Sequence, residues 1–270
     1  MLTQTEKGEK FRALHASGIF VIPNPWDAGS ARLLAAAGFP ALATTSSGFA
    51  FTLGRRDNQT SRDENMQHCH AIAAAAGDVP VSADLAKCFG DSPDAVAETI
   101  RLAAETGVVG ASVEDASGDT AHPIYDHALA VERVMAAVEA TRNLAFPFVV
   151  TARAENFLHG RRDLDDTLRR LQAFASAGAG CVYAPSLPDL AAVREVCQGV
   201  PCAVNVLAGP ADFTVAALKE AGVRRISVGS GVSRVAYGAL MRAAAEIRDR
   251  GTFQSLAEAI PFAEISKLME

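Results

Sequence analysis

Short apolar runs alternate with longer stretches in which alanine, leucine and valine return every three or four positions, and this alternation repeats along nearly the whole chain. A helical period marks amphipathic helices, whereas a short continuous apolar run bounded by turn residues marks a buried strand. On that basis strands are expected at Gly18–Pro23, Ala41–Thr45, Val79–Ser82, Val109–Val113, Pro147–Ala152, Gly180–Ala184, Cys202–Leu207 and Arg225–Gly229. Helices are expected at Thr3–Ser17, Ala28–Ala37, Asp63–Ala76, Pro93–Thr106, Ala128–Thr141, Leu164–Ala177, Asp189–Val196, Phe213–Ala221 and Ser233–Arg248, and Phe49–Arg62 reads as a long polar connection. Pro93 falls in a first turn, where proline is tolerated, and Gly107 stops that helix.

Eight strands alternating with helices predict an α/β fold of the (β/α)8 TIM-barrel type, one domain over residues 1–270. The first helix caps one end of the barrel. No Gly-x-Gly-x-x-Gly opens a helix, which removes the main support for a dinucleotide-binding open sheet. Residues 253–270 form an amphipathic helical tail that docks on the barrel or on a neighbouring subunit.

Hydrophobic residues make up 49% of the chain and charged residues 21%, ordinary for a globular protein. With 25 Lys and Arg scattered against 31 Asp and Glu, no basic footprint for nucleic acid exists, and a small molecule is the expected partner. Five cysteines without metal spacing point to reduced thiols and a cytoplasmic location, and neither a signal peptide nor a membrane span is legible.

The strand ends carry the candidate chemistry. In a barrel, Asn24, Ser47, Asp84, Glu114, Arg153, Asn205 and Ser227 converge at the C-terminal mouth, where such enzymes place their active sites. Oxygen donors with few histidines suit Mg2+ or Mn2+, with Asp84 and Glu114 as ligands, and Arg153 faces an oxyanion. The competing reading is that strand-end acids cap the following helix. Asp84 is poorly placed for that, because the next helix begins several residues later.

The segments NPWDAGSARLLAAAGF, TTSSGFAFTLGRRDNQ, SADLAKCFGDSP, SVEDASG, TARAENF, YAPSLPD and VNVLAG, in this order, resemble the isocitrate lyase and phosphoenolpyruvate mutase superfamily from about Phe11 to Ile247. The resemblance implies a magnesium-dependent lyase that cleaves a C–C bond of a small 2-oxo or 2-hydroxy carboxylate through a metal-bound enolate. It also implies homo-oligomers, dimers or tetramers, that exchange C-terminal helices. Carried over by position, Asp84 is the metal ligand, and Asp57 and Glu114 hold metal-bound waters. Ser47, Gly48 and Phe49 grip the substrate carboxylate, Arg153 stabilises the enolate, and Glu155 and Asn205 line the pocket.

Several residues depart from the family pattern. Ala86 stands where an outer carboxylate is common, Lys87 adds a cation, and Cys88 replaces a glycine. The loop SGDTAHPIYDH carries neither the thiol acid of the isocitrate and methylisocitrate lyases nor the Lys and Asn of the phosphonate branches. The alternatives are a barrel that binds a 2-oxo acid or other metabolite without turnover, phosphonate (P–C bond) chemistry, which the loop disfavours, and a phosphate-binding isomerase using VGSGVS. Cys88 beside Lys87 suggests a lowered thiol pKa, His122 a loop acid or base, and His68, Cys69 and His70 a surface helix.

Overall fold

A computed structural model describes residues 1–270. Eight parallel strands, β1 (Phe20–Ile22), β2 (Leu42–Ala43), β3 (Val81–Asp84), β4 (Gly110–Glu114), β5 (Val149–Arg153), β6 (Cys181–Tyr183), β7 (Ala203–Leu207) and β8 (Arg225–Ser227), pair in the order β1-β8-β7-β6-β5-β4-β3-β2. The remaining seam, β1 to β2, is closed by the Ala43 N–H donating to the Pro23 carbonyl at 3.1 Å. Asn24 fastens the same seam at the mouth: its Nδ2 donates to the Thr44 carbonyl at 2.9 Å, and its Oδ1 accepts from the Val228 and Gly229 N–H groups at 3.0 and 2.8 Å. Asn24 is therefore a seam residue. The fold is the expected (β/α)8 barrel.

The helices are α1 (Gln4–Ala16), α2 (Ala28–Ala36), α3 (Ser46–Thr52), α4 (Arg62–Ala75), α5 (Pro93–Glu105), α6 (His127–Arg142), α7 (Leu164–Ser176), α8 (Leu190–Gly199), α9 (Val215–Glu220), α10 (Gly231–Arg250) and α11 (Phe262–Leu268). Thr3, Ser61 and Asp27 close capping boxes on α1, α4 and α2. Ser92, not Asp84, caps α5. The expected polar connection after β2 contains a helix that its apolar pattern did not announce: Thr45 caps α3, and position 48 accepts glycine because any Cβ there would lie 2.5 Å from the Thr45 methyl. The helix bearing His68 and Cys69 is not a surface helix at these positions; both side chains are buried, and Phe49 stacks on His68 at 3.9 Å between ring centroids.

The lower end of the barrel is sealed by α1. Phe11 is fully buried, and His15 shares its ring nitrogens between the Phe11 carbonyl (2.8 Å) and Arg225 Nη1 (3.3 Å). Arg225 in turn donates to Asn205 Oδ1 (2.8 Å) and Thr151 Oγ1 (3.0 Å), and Asn205 donates to Ser227 Oγ (2.9 Å). Asn205 is thus part of the polar filling inside the barrel and not part of the pocket wall, because its amide is consumed by β8.

At the other terminus α10 buries only Ser233, and Val235, Leu240, Met241 and Ile247 stand exposed. The tail after Gly251 turns back through a 3-10 turn (Gln254–Glu258), and α11 returns towards α2, with Met269 reaching Gly29. Phe253, Leu256, Ile260 and Phe262 remain exposed. No helix is long and apolar enough to cross a membrane.

Burial and then the charge of Arg225 push the His15 pKa down to about 3. The folded state therefore prefers neutral His15, and the unfolded chain binds the extra proton as pH falls below the usual histidine value of about 6.5. Chemical denaturation is expected to show wild type losing stability relative to His15→Gln as pH falls from 7 to 4. His68, which burial pushes down to about 4, adds a loss of the same sign, and buried carboxyls with raised pKa, Asp115 at about 6 and Glu114 in the same direction, oppose both.

Candidate active site

Asp84, Glu114 and Arg153 are the terminal residues of β3, β4 and β5, and parallel pairing brings them side by side: Asp84 is paired with Ser112, and Glu114 with Arg153. They open into a cavity of about 610 Å3 at the barrel mouth, walled also by Asp57, Glu155, Ser47 and Tyr183. Arg153 is the hub. Its Nη1 lies 2.9 Å from Glu114 Oε1 and 3.4 Å from Asp84 Oδ1, its Nε donates to Glu155 Oε1 at 2.7 Å, and its guanidinium covers the Tyr183 ring at 4.8 Å.

Three carboxylates surround that one guanidinium, and a fourth, Asp57, lines the same cavity from its exposed rim. Two of these carboxyls, Glu114 and Asp57, have raised proton affinities. Burial, then the charges of Glu155, Asp84 and Asp57, hold the Glu114 carboxyl well above the usual carboxylate range in spite of Arg153. Asp57 is also raised, by partial burial first and then by Asp84. Glu155 is fully buried, and its Oε2 has no hydrogen-bond partner.

Asp84 is oriented from three sides. Its backbone N–H donates to Thr44 Oγ1 at 2.7 Å, its Oδ2 accepts from the Ser46 N–H at 2.9 Å, and its Oδ1 accepts from Ser112 Oγ at 3.2 Å. Of the expected carboxylate grip, only Ser47 reaches the cavity wall. The Gly48 N–H donates to Thr45 Oγ1 at 3.3 Å and the Phe49 N–H to the Thr45 carbonyl at 3.0 Å, so α3 itself uses both donors. The backbone contacts carried over to Gly48 and Phe49 are not available in this arrangement.

Lys87 does bring a cation to the cavity wall, and its Nζ donates to Asp91 Oδ1 at 2.8 Å and to the Ser117 carbonyl at 2.6 Å. One further expectation is corrected. Cys88 is no activated thiol: it is fully buried, and burial pushes its pKa up to about 12. No cysteine lines the cavity, and His122 is exposed beside Asp119, whereas His159, which the sequence did not single out, reaches the wall.

A further layer lies behind Glu155. Asp115 follows Glu114, and the alternation of a strand sends it to the opposite face. There its Oδ1 accepts from the Glu155 N–H at 2.8 Å and its Oδ2 from Arg170 Nη1 at 3.0 Å, while Arg170 also donates to Asp166 at 3.0 Å. The adjacent acids Glu114 and Asp115 were the only sequence trace of these two roles.

The donor set fits a hard divalent cation. It offers carboxylate oxygens, an unpartnered buried Glu155 oxygen and more negative than positive charge. No three His, Cys, Asp or Glu side chains form a ready-made cage, which is compatible with Mg2+, an ion that keeps waters and takes one or two carboxylates.

Residues 11–248 match the family model described as phosphoenolpyruvate phosphomutase. The chain belongs to this family. It therefore lies in the isocitrate lyase and phosphoenolpyruvate mutase superfamily, and its members include lyases and mutases. The chain is 52% identical to a protein of Burkholderia cenocepacia J2315 whose solved structure is described as a candidate lyase/mutase, with a TM-score of 0.95 and coverage of 98% of this chain and 95% of that one. It is 34% identical over 261 residues to an uncharacterised protein of Mycobacterium tuberculosis, covering 94% of each chain. It is 26% identical over 252 residues to a protein of Corynebacterium glutamicum assigned as a 2-methylisocitrate lyase, covering 89% of this chain and 81% of that one.

Removing Arg153 leaves several carboxylates facing one another with no counter-charge. Arg153→Met is expected to lower stability at pH 7 by about 3–5 kcal/mol, the range for breaking a buried ion pair from one side. Arg153→Lys, which keeps the charge but loses the planar fork, is expected to lose less. Urea denaturation of the three proteins measures both differences.

Proposed function

We propose that the protein is a divalent-cation-dependent lyase that cleaves a C–C bond in a small 2-oxo or 2-hydroxy carboxylate. The observation that carries this reading is the convergence of Asp84, Glu114 and Glu155 on Arg153 at the mouth ends of β3, β4 and β5, in one cavity that Asp57 also lines. Asp84 and Glu114 would hold Mg2+ or Mn2+, with Asp57 ordering its water shell. A cation bound there supplies Lewis-acid polarisation of the substrate's carboxylate and 2-oxygen.

The chain's own residues supply the rest. Arg153 lies against three acids and is held in its charged form, well above the usual arginine pKa, by Glu114 and Glu155 despite burial. That fixed charge suits an oxygen on which negative charge develops during bond cleavage. Asp84 and Ser47 border the space for the substrate carboxylate, and the Tyr183 ring, buried behind Arg153, keeps water from its far face. Burial raises the proton affinity of the Glu114 carboxyl above the usual carboxylate range in spite of Arg153.

The cavity supports a lyase that works without a cysteine acid, because all five thiols are outside it. The loop after β4 supports no phosphonate reading either: Ser117 to His127 contains neither lysine nor asparagine. Five unpaired cysteines suit a reducing compartment such as the cytoplasm.

The exposed apolar residues of α10 and the tail support a homo-oligomer in which these segments cover a neighbouring subunit. Sedimentation at micromolar concentration is expected to give a dimer or tetramer, and removal of residues 231–270 to give a smaller assembly. A full-length monomer would refute this part.

Calorimetric titration is expected to show oxalate, a mimic of a pyruvate enolate, binding only with Mg2+ or Mn2+ present. Asp84→Asn should abolish that binding while keeping the melting temperature within a few degrees. Turnover of a 2-oxo or 2-hydroxy diacid, followed as release of the keto product, completes the test. Oxalate binding without turnover of any such acid would assign the barrel to ligand binding alone, and unchanged affinity in Asp84→Asn would remove Asp84 from the site.

A further inference from the structure

We infer that Arg133, on α6 and outside the cavity, is a positioning residue that holds the loop after β3 in the shape that sets both Asp84 and Glu114; this rests on the cation-site reading above. The loop is strained in a way its sequence does not relieve. Ala86, Cys88 and Phe89 have φ of 48°, 60° and 57°, the left-handed region that favours glycine, and none of them is glycine. They account for three of the five non-glycine residues with positive φ in the chain, within five residues of Asp84. Such a conformation persists only when its surroundings over-determine it.

Arg133 provides that determination. Its side chain is 1% exposed, and no carboxylate pairs with its guanidinium. Instead Nη1 donates to the Gly90 and Asp91 carbonyls at 2.7 and 2.6 Å, and Nη2 to the Lys87 carbonyl at 2.7 Å. Its guanidinium lies over the Tyr125 ring at 4.4 Å, and Tyr125 completes the clamp by donating its hydroxyl to Asp91 Oδ1 at 2.6 Å. A buried arginine spent on three carbonyls of one short turn fixes a backbone shape, since each bond requires its carbonyl to face inward.

The clamp reaches the cavity through the main chain. Leu85 and Ala86 follow Asp84 directly, and the Ala86 carbonyl accepts from the Glu114 N–H at 3.1 Å. Slack in the loop therefore moves both acids at once. Lys87 carries the same turn to the loop after β4 through its bond to the Ser117 carbonyl. Arg133 does not line the cavity, so its effect on ligand affinity passes through position alone.

The test compares wild type with Arg133→Lys, and with Arg133→Lys combined with Ala86→Gly, by amide hydrogen exchange of the cation-free proteins and by calorimetry with Mg2+ and oxalate. In Arg133→Lys, exchange at residues 85–91 is expected to rise at least about tenfold while β5 and α7 are unchanged, and oxalate affinity to fall about 10- to 100-fold, as for lost outer-layer partners of a metal site. Ala86→Gly, which accepts the left-handed backbone without a Cβ, is expected to restore part of that affinity. A merely structural arginine would shift the melting temperature without that rescue.

Unchanged exchange at 85–91, or faster exchange with unchanged oxalate affinity, would overturn the inference. If Arg133→Lys does not fold, Tyr125→Phe removes only the hydroxyl bond to Asp91 and is read the same way, with a smaller rise expected and no rise counting against. If wild type binds no oxalate and exchange still accelerates, the loop-holding role stands and the cation-site reading fails.

Discussion

One guanidinium among three carboxylates is the constraint on which the mouth of this barrel depends. Arg153 meets Glu114, Glu155 and Asp84 within 3.4 Å, and without it the ends of β3, β4 and β5 would carry unbalanced negative charge in a largely buried space. Even with it the balance is incomplete, as the raised proton affinity of Glu114 and the unpartnered oxygen of Glu155 show. Folding alone gains little from such a cluster. A site that accepts a cation and an anionic ligand gives the same residues a use.

The support around this cluster is layered. Asp115 and Arg170 fix the backbone of Glu155 from behind, Thr44, Ser46 and Ser112 fix Asp84, and Arg133 fixes the strained turn between the two acids. Each of these partners is buried or at an element end, so the acids are held by rigid parts of the barrel. Membership of the phosphoenolpyruvate phosphomutase family agrees with chemistry at this mouth, and the family's mixture of lyases and mutases means that the reaction has to be read from the site.

Much of this was legible in the sequence, because the barrel announces itself through repeated apolar runs and because Asp84, Glu114 and Arg153 end theirs. Local pattern failed where a residue's role is set by something distant. Asn205 reads as a strand polar residue like Asp84, but it lies in the middle of β7, and Arg225 and Ser227 draw it into the barrel filling. Gly48 and Phe49 look like free backbone donors until Thr45 caps α3 and uses them. Lys87 reaches the cavity wall, but its ammonium is taken by Asp91 and Ser117 and not by Asp84. Arg133 and Arg170 read as ordinary charged positions of amphipathic helices, since nothing local reveals that their guanidinium groups face inward.

The most direct test is a crystal structure of the protein grown with Mn2+ and oxalate, with the cation located by its anomalous scattering. A single anomalous peak beside the Asp84 carboxylate, with oxalate between it and Arg153, is the predicted result. Oxalate bound at Gly229–Ser230 with no peak near Asp84 would contradict it and return the acidic cluster to a purely structural role.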